Sequence, residues 1–431
     1  MGIVVGILIL SLMMFVHELG HYLTGRRLGF KIEEFSIFMG PVLFSWERQG
    51  IKYSLKLLPI GASVRFAGEY VENDDFGDDP GHFFNRPKWA RTIVIATGPA
   101  LNLLSGVLAF LIMFASFGYT VPVISQVNSE TQAAAAGLAA GDRIVRAAGK
   151  SVATTLDYTG LVLFVAADDP LEMQVRGADG AKRTVVLQPV MKLRYRLGIT
   201  VHADAAQKGA VIEAVDAASN LGQPVLQAGD ILLAVNDIPY EDGAAFAAAV
   251  QASAGQPIEL TVTRAGETIK LSMVATQYEE LLTRGVYFQT RTEFWPAVGQ
   301  SFQWSWSIIK VTLRSFGMLF TGTLRAEDAL SGPIGVVTMI SDVVTEKQPL
   351  SDKIINLLWM FALVSVSLGF MNLLPIPPLD GNHLLLICIE AIRGKRLSVK
   401  TQNLIGIVGI VLIVLLALAG LYFDVLRLIA R

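Results

Sequence analysis

A short motif near the start of the chain carries residue types that bind a metal ion and move a proton. His17-Glu18-Leu19-Gly20-His21 has two histidines four residues apart, which a helix places on one face. Two imidazoles so placed can hold one Zn²⁺, and Glu18 beside them can take a proton from a water molecule next to the metal. Five residues can match by chance, so the surroundings decide what the motif means.

The motif lies at the end of an apolar segment, residues 1–16, which predicts a membrane-spanning helix that is retained. The segment lacks the basic start and the small-residue cleavage site of a signal peptide. Ionisable groups at the end of such a helix are costly and rare without a function. A functional metal site is therefore favoured over histidines that merely reach the membrane surface.

Three further stretches, residues 93–115, 354–374 and 404–423, contain no Asp, Glu, Lys or Arg. Each is long enough to cross a hydrocarbon core of about 30 Å as a helix. With 52% hydrophobic and 17% charged residues, the chain is too apolar for an ordinary soluble protein. We predict a multi-pass α-helical membrane protein with four transmembrane helices, at residues 1–23, 92–118, 353–376 and 402–424.

The distribution of basic residues predicts the orientation of these helices. Ten Lys or Arg residues lie between residues 24 and 91, and the predicted loop 377–401 carries four more near its end. Both segments should face the cytoplasm, which leaves the N-terminus and residues 121–290 on the other side. The net charge of −2 and the absence of a basic arm argue against a nucleic-acid partner, and a single cysteine, Cys388, excludes an intrachain disulfide.

Two membrane-associated segments are predicted outside the spans. Residues 24–91 contain alternating apolar and polar residues around a Gln49-Gly50 turn, which predicts cytoplasmic-side β-hairpins followed by a loop. Residues 297–322 are rich in aromatic side chains and predict an amphipathic helix at the membrane surface. The alternative for this second segment is a helix packed on the preceding domain.

The polar middle of the chain contains an internal repeat. Residues 140–145 recur as residues 228–233, and residues 171–175 recur as residues 258–262. The repeat predicts two tandem α+β domains, residues 121–203 and 204–290, outside the membrane. Residues 136–142 resemble the segment of bacterial PDZ domains that leads into a core strand, so both domains are predicted to be PDZ-like. Such domains bind extended peptides at a sheet edge.

A catalytic zinc site needs a third protein ligand. Asp380 ends the motif Asn372-Leu373-Leu374-Pro375-Ile376-Pro377-Pro378-Leu379-Asp380-Gly381, on the same predicted side as His17 and His21. The prolines interrupt the helix, and the freed backbone groups can line a polar cavity. From residue chemistry alone, Asp380 is equally well explained as a ligand or as a turn residue.

The two motifs together resemble the site-2 protease family of intramembrane zinc metalloproteases, and the resemblance covers essentially the whole chain. It implies that His17, His21 and Asp380 hold one Zn²⁺ per chain and that Glu18 is the catalytic acid and base. It also implies that Asn372 contacts the substrate. Asn102, within Gly98-Pro99-Ala100-Leu101-Asn102, is expected to lie near the site as a second substrate contact. Residues 331–335, Ser-Gly-Pro-Ile-Gly, match bacterial members as well.

The resemblance further implies a protease of the bacterial inner membrane, surrounded by lipid, that cuts single-span membrane proteins. In the sigma-E stress response the expected substrate is an anti-sigma factor already cut outside the membrane, and remnant signal peptides are a second class. A membrane-anchored PDZ scaffold with a vestigial metal site is the main alternative. A metal transporter is a weaker one, because the predicted spans are nearly free of polar residues.

Overall fold

The computed structural model describes residues 2–69, 78–203, 209–240, 243–324 and 332–429. Ser331 of the Ser-Gly-Pro-Ile-Gly segment lies outside them. Within these ranges, four helices are long and apolar enough to cross a membrane, as the sequence predicts: Gly2–Arg27, Lys88–Phe117, Leu350–Asn372 and Val399–Leu426. Clustering of contacts divides the chain into two compact units. One contains residues 1–123, 150–161 and 288–431, and the other contains residues 124–149 and 162–287.

Several helix ends follow from local sequence. The second long helix begins directly after Pro87 and ends at Gly118, and a helix that starts at Asp380 ends at Gly394. The helices are α1 Gly2–Arg27, α2 Lys88–Phe117, α3 Gln132–Ala135, α4 Thr155–Val162, α5 Ser219–Gly222, α6 Gly243–Ala252, α7 Phe294–Phe320, α8 Pro333–Thr345, α9 Leu350–Asn372, α10 Asp380–Arg393 and α11 Val399–Ile429.

The strands lie in the N-terminal hairpin region and in the middle of the chain. They are β1 Ile32–Arg48, β2 Ile51–Phe66, β3 Tyr119–Val127, β4 Arg143–Ala147, β5 Lys150–Ser151, β6 Leu171–Arg176, β7 Lys182–Leu187, β8 Met191–Arg196, β9 Ile199–Ala203, β10 Ala210–Val215, β11 Ile231–Val235, β12 Ile238–Pro239, β13 Pro257–Arg264, β14 Glu267–Val274, β15 Thr276–Leu281 and β16 Val286–Arg291.

The predicted hairpin region is a curled sheet made by β1 and β2. Both strands bend, so that the start of β1 pairs with both ends of β2: Glu34 lies opposite Lys52 and also opposite Arg65. The base of this sheet is buried against α1 and α2, and its apolar residues form one cluster with Tyr22 and Val94. The sheet is thereby fixed beside the helix that carries His17 and His21.

The two sheets of the middle segment have the same arrangement of strands in space, although one edge strand comes last in the chain in the first sheet and first in the second. One is β16-β3-β4-β6-β7 with β5 paired to β4, and the other is β9-β10-β11-β13-β14 with β12 paired to β11. Each has a helix after its short strand: α4 lies between β5 and β6, and α6 lies between β12 and β13. The internal repeat of the sequence thus corresponds to a repeated sheet.

The predicted boundary between the two copies differs from the structure at both ends. β9, placed by the prediction in residues 121–203, belongs to the second sheet, and β16, placed in residues 204–290, is the edge strand of the first. The second copy is therefore inserted into the first rather than following it. The sequence repeat could not show this, because neither edge strand contains the repeated residues.

Two other predicted segments are helical in the structure. Residues 377–401, predicted as the cytoplasmic loop between the last two spans, contain the 14-residue helix α10. The segment predicted as an amphipathic helix at residues 297–322 is α7, which packs through Trp304 against Phe110 and Trp359. Lys310 of α7 pairs with the buried Asp157 of α4 at 2.6 Å.

The aspartate of the repeated Gly-Asp element forms an ion pair in each copy, with an arginine of β7 in the first copy and an arginine of β13 in the second. Asp142 accepts a hydrogen bond from the Ala139 amide and pairs with Arg183 at 2.6 Å. In the second copy Asp230 accepts from the Gln227 amide and pairs with Arg264 at 2.7 Å. The Arg264 guanidinium beside Asp230 lowers the pKa of that carboxyl below its ordinary value. The Gly-Asp element of the repeat therefore ties the start of one strand to the sheet.

We expect Asp230→Asn to destabilise the second copy by about 1–3 kcal/mol, because the 98% buried carboxylate loses a charge-assisted bond. Because the pKa of Asp230 is lower in the folded than in the unfolded protein, its carboxylate stabilises the fold at pH values above the unfolded-state pKa. This stabilisation is lost as the pH falls toward the folded-state pKa. Hydrogen exchange of β11 and β13 should therefore show protection that declines toward about pH 4 in the wild type and much less in the variant.

Asp237→Asn is the matched control, because the Asp237 side chain is 86% exposed and asparagine tolerates its positive φ. This variant should leave the exchange of both strands unchanged. Equal protection of the wild type and Asp230→Asn at neutral pH would contradict the role given to the ion pair.

Candidate metal centre

Three side chains from distant parts of the chain converge on one point. His17 and His21 are one turn apart on α1, and Asp380 begins α10. The Nε2 atoms of the histidines are 3.2 Å apart, and Asp380 Oδ2 lies 3.0 Å from His17 Nε2 and 3.5 Å from His21 Nε2. These atoms lie within 4.8 Å of one another and form a group that could hold a metal ion.

The orientation of His21 is set by α2. Its Nδ1–H donates to the Val94 carbonyl at 2.9 Å, which leaves the Nε2 lone pair facing the cluster. The Val94 carbonyl lies inside α2 and accepts this bond with its second lone pair. Gly98 lies directly beside the ring, and a Cβ at that position would overlap the imidazole. The glycine of the Gly98–Asn102 motif is therefore needed for the close approach of α1 and α2.

His17 is oriented by Asn102, one turn further along α2. The Asn102 amide lies 3.4 Å from His17 Nδ1, and its Oδ1 is buried without a hydrogen-bond partner in the described residues. Turning the amide over brings Oδ1 to His17 Nδ1–H, which frees Nε2 for the cluster. Asn102 is fully buried and does not line the cavity. This placement does not support the expected contact between Asn102 and a substrate.

Asp380 is positioned by the turn that precedes it and by the helix it begins. A carboxylate in the first turn of a helix interacts favourably with the helix dipole. The preceding turn is backed by α11, because Gly409 lies directly against Pro377, and a Cβ at residue 409 would overlap the Pro377 backbone. The long-range contact with α11 thus limits where the turn, and with it Asp380, can lie.

The donor set fits zinc. Two imidazole nitrogens and a carboxylate oxygen face one another, and Asp380 Oδ2 accepts no hydrogen bond within the described residues. Facing lone pairs repel unless a proton or a cation lies between them. Two histidines with one carboxylate are among the ligand sets of catalytic zinc sites, which leave a fourth position open. The geometry agrees with the predicted ligands His17, His21 and Asp380.

Glu18 lies beside this cluster at the wall of a cavity of about 470 Å³. One of its carboxylate oxygens accepts a hydrogen bond from the Val64 amide at 2.9 Å, so the β1–β2 sheet fixes the side chain. Asn372, the last residue of α9, also lines the cavity. Its predicted contact with a substrate is possible in this position.

The cavity contains two ionisable residues that the sequence did not single out, Glu69 and His383. Burial raises the pKa of Glu69 to about 7 and lowers the pKa of His383. His383 could have been found from its spacing, since it is three residues after Asp380 and shares its helix face. No comparable sequence signal points to Glu69, which follows the end of β2.

The fold and the cluster define a membrane protein with a metal site at the end of a spanning helix. Comparison with known proteins agrees: the profile of peptidase family M50 matches residues 5–416. The chain belongs to this family, the site-2 proteases, and is a zinc metalloprotease of the multi-pass inner-membrane type.

Named relatives cover nearly the whole chain. It is 28% identical to Protease RseP of Yersinia pestis, over 92% of each chain, and 28% identical to the Regulator of sigma E protease of Salmonella typhi, also over 92% of each. A Neisseria meningitidis protein whose name describes a zinc metalloprotease is 30% identical over 96% of each chain.

We expect Gly409→Ala to weaken zinc binding, because the added methyl group displaces the Pro377 turn and with it Asp380. A few tenths of an ångström are enough to disturb coordination, so zinc affinity should fall by about tenfold or more. The measurement is zinc retention by the purified full chain during competition with a graded chelator.

Gly406→Ala is the matched control, since it lies one turn earlier on α11 and nothing lies within 4 Å of its added Cβ. This variant should retain zinc like the wild type. If both variants behave alike, the contact at Gly409 has no influence on Asp380.

Proposed function

We propose that this protein is an intramembrane zinc endopeptidase that cuts the transmembrane segments of single-span membrane proteins. The observation that carries the proposal is the convergence of His17, His21 and Asp380 beside Glu18, in a cavity at the end of a membrane-spanning helix. A scaffold has no use for three such ligands and a neighbouring carboxylate. We infer one Zn²⁺ per chain, since the described residues contain one such cluster.

Each residue of the site then has a definite task. His17, His21 and Asp380 hold zinc, which when bound polarises the scissile carbonyl and acidifies a water molecule. Glu18 takes a proton from that water and delivers it to the leaving amine. The Val64 amide holds one Glu18 oxygen in place, and Asn102 keeps His17 in the tautomer that offers Nε2. Asn372 is placed to contact the substrate backbone.

A helical substrate hides its amides in internal hydrogen bonds, so it must unwind locally before it is cut. The β1–β2 sheet lies beside Glu18 and could pair with an unwound segment and present it as a strand. Exposed apolar residues at its far end, among them Leu43, Phe44 and Leu57, suit a sheet that dips into lipid. The basic residues of segments 24–91 and 377–401 support a cytoplasmic site and external repeats.

The substrate class is inferred from the relatives. Three relatives from Salmonella are named as regulators of sigma E, which supports an anti-sigma factor, already cut outside the membrane, as the substrate. Remnant signal peptides are a second class with the same single-span topology. The repeated sheets would act as PDZ-like domains that exclude substrates with bulky external domains.

Substitutions at the site separate metal binding from proton transfer. His17→Ala and Asp380→Asn should lose most of the zinc and the activity. Glu18→Gln should keep the zinc, while cleavage falls by about 10²- to 10⁴-fold, because only the base is removed. Zinc content and cleavage of a labelled single-span peptide are measured on the same purified full chain.

His202→Ala, in the exposed position of β9, is the control and should change neither quantity. Full zinc in His17→Ala would exclude the assigned ligands. If Glu18→Gln cleaves at the wild-type rate, a residue other than Glu18 transfers the proton. No cleavage by wild type with bound zinc would favour the scaffold.

The exclusion role can be tested by removing the second copy cleanly. Arg196 of β8 and Thr276 of β15 are paired neighbours, so residues 197–275 can be replaced by an Asn-Gly turn that joins the two strands as a hairpin. We expect the shortened protein to cleave substrates that still carry their external domain, which the wild type rejects.

The same protein should cleave short substrates at the wild-type rate. If it cleaves neither class although zinc is retained, the second copy recruits substrates instead of excluding them. Replacing the segment by a longer flexible Gly-Ser linker controls for strain at the new turn.

A further inference from the structure

A buried ion pair joins α2 to α10 at a distance from the metal ligands. Arg91 Nη2 lies 2.9 Å from both carboxylate oxygens of Glu390, and the two side chains are 2% and 11% exposed. Arg396 Nε approaches the same carboxylate at 3.4 Å, and Lys88 donates to the Glu390 carbonyl at 3.3 Å. None of these groups lines the cavity of the metal cluster.

The helix that ends near this pair is the one that begins with Asp380. Residues 380, 383, 387 and 390 recur every three or four positions and share one face of α10. Ile387 and His383 of this face meet Ile95 of α2 around a small void that Arg91 and Glu390 also line. About 15 Å along the helix separates Glu390 from Asp380.

The partner surface on α2 is the surface that orients the histidines. Arg91, Val94, Gly98 and Asn102 also follow helical spacing, so the groups that hold Glu390, His21 and His17 stand in one row. A rotation or slide of α10 against α2 would move Asp380 relative to both imidazoles. The ion pair opposes such a movement, because breaking it leaves a buried charge without a partner.

We propose that Arg91 and Glu390 are positioning residues that set the register of α10 on α2 and thereby place Asp380 at the histidines. The inference rests on the proposed function, since it takes Asp380 as a zinc ligand. It assigns no contact with substrate to either residue. Its consequence is that metal geometry depends on a pair of side chains outside the cavity.

Glu390→Gln keeps the shape of the side chain and removes the charge that both arginines contact. We expect zinc affinity to fall by about 10- to 100-fold, the range seen when groups that orient ligands are changed. Affinity is measured by chelator competition on the full chain. The absorption spectrum of the Co²⁺-loaded protein reports ligand geometry and should change as well.

Arg393→Gln is the matched control, because Arg393 is exposed in the last turn of the same helix. It should leave zinc affinity and the Co²⁺ spectrum as in the wild type. In a double-mutant cycle, Arg91→Gln combined with Glu390→Gln should cost less than the sum of the single variants, because the two residues act as one unit.

Wild-type zinc affinity and an unchanged Co²⁺ spectrum in Glu390→Gln would overturn the inference, even if its melting temperature fell. Should Glu390→Gln not fold, Arg91→Gln removes the charge that faces Glu390, and unchanged zinc affinity there would overturn the inference equally. His17→Ala separates failure of the proposed zinc site from failure of the positioning role. If His17→Ala keeps zinc, the proposed ligands are wrong. If it loses zinc while Glu390→Gln does not, only the positioning role fails.

Discussion

The structure depends on bringing two imidazoles and a carboxylate together within a largely apolar set of helices. Burying these polar groups is costly unless each has a hydrogen-bond partner or a bound ion. The Nδ1 atoms of the two histidines find their partners on another helix. One row of residues on α2 provides the contacts: Val94 and Gly98 for His21, and Asn102 for His17. α2 is therefore the common reference for the site, although it contributes no ligand.

Much of the site could be predicted because its chemistry is local in sequence. His17, Glu18 and His21 lie within one turn of a helix, and the spans follow from composition and length. The role of Asp380 stayed open on residue chemistry, because it lies near the other end of the chain and no local pattern requires it to meet α1. Glu69 has no helical spacing to any ligand, so only the three-dimensional structure places it in the cavity.

The nested arrangement of the repeats shows a different limit. The motifs at residues 140 and 228 gave the repeat and its length, since they lie in core strands that each sheet needs. Edge strands have only one partner, and an alternating pattern does not say which sheet they join. The sequence pattern therefore does not show that β9 belongs to the second sheet and β16 to the first. The basic residues of segment 377–401 predict a connection between spans, and the apolar residues of α10 within it recur at helical spacing.

α2 also connects the metal site with the part of the chain that precedes α9. Its Phe110 and Phe114 pack with Trp304 of α7 and Trp359 of α9, in the half of the helix opposite Arg91. α7 in turn binds α4 through Lys310 and the buried Asp157, and Thr154 donates to Ser307. α4 and the metal ligands are therefore linked through the packed surfaces of α7 and α2, and Pro99 lies inside α2 between the Val94 contact with His21 and the aromatic cluster.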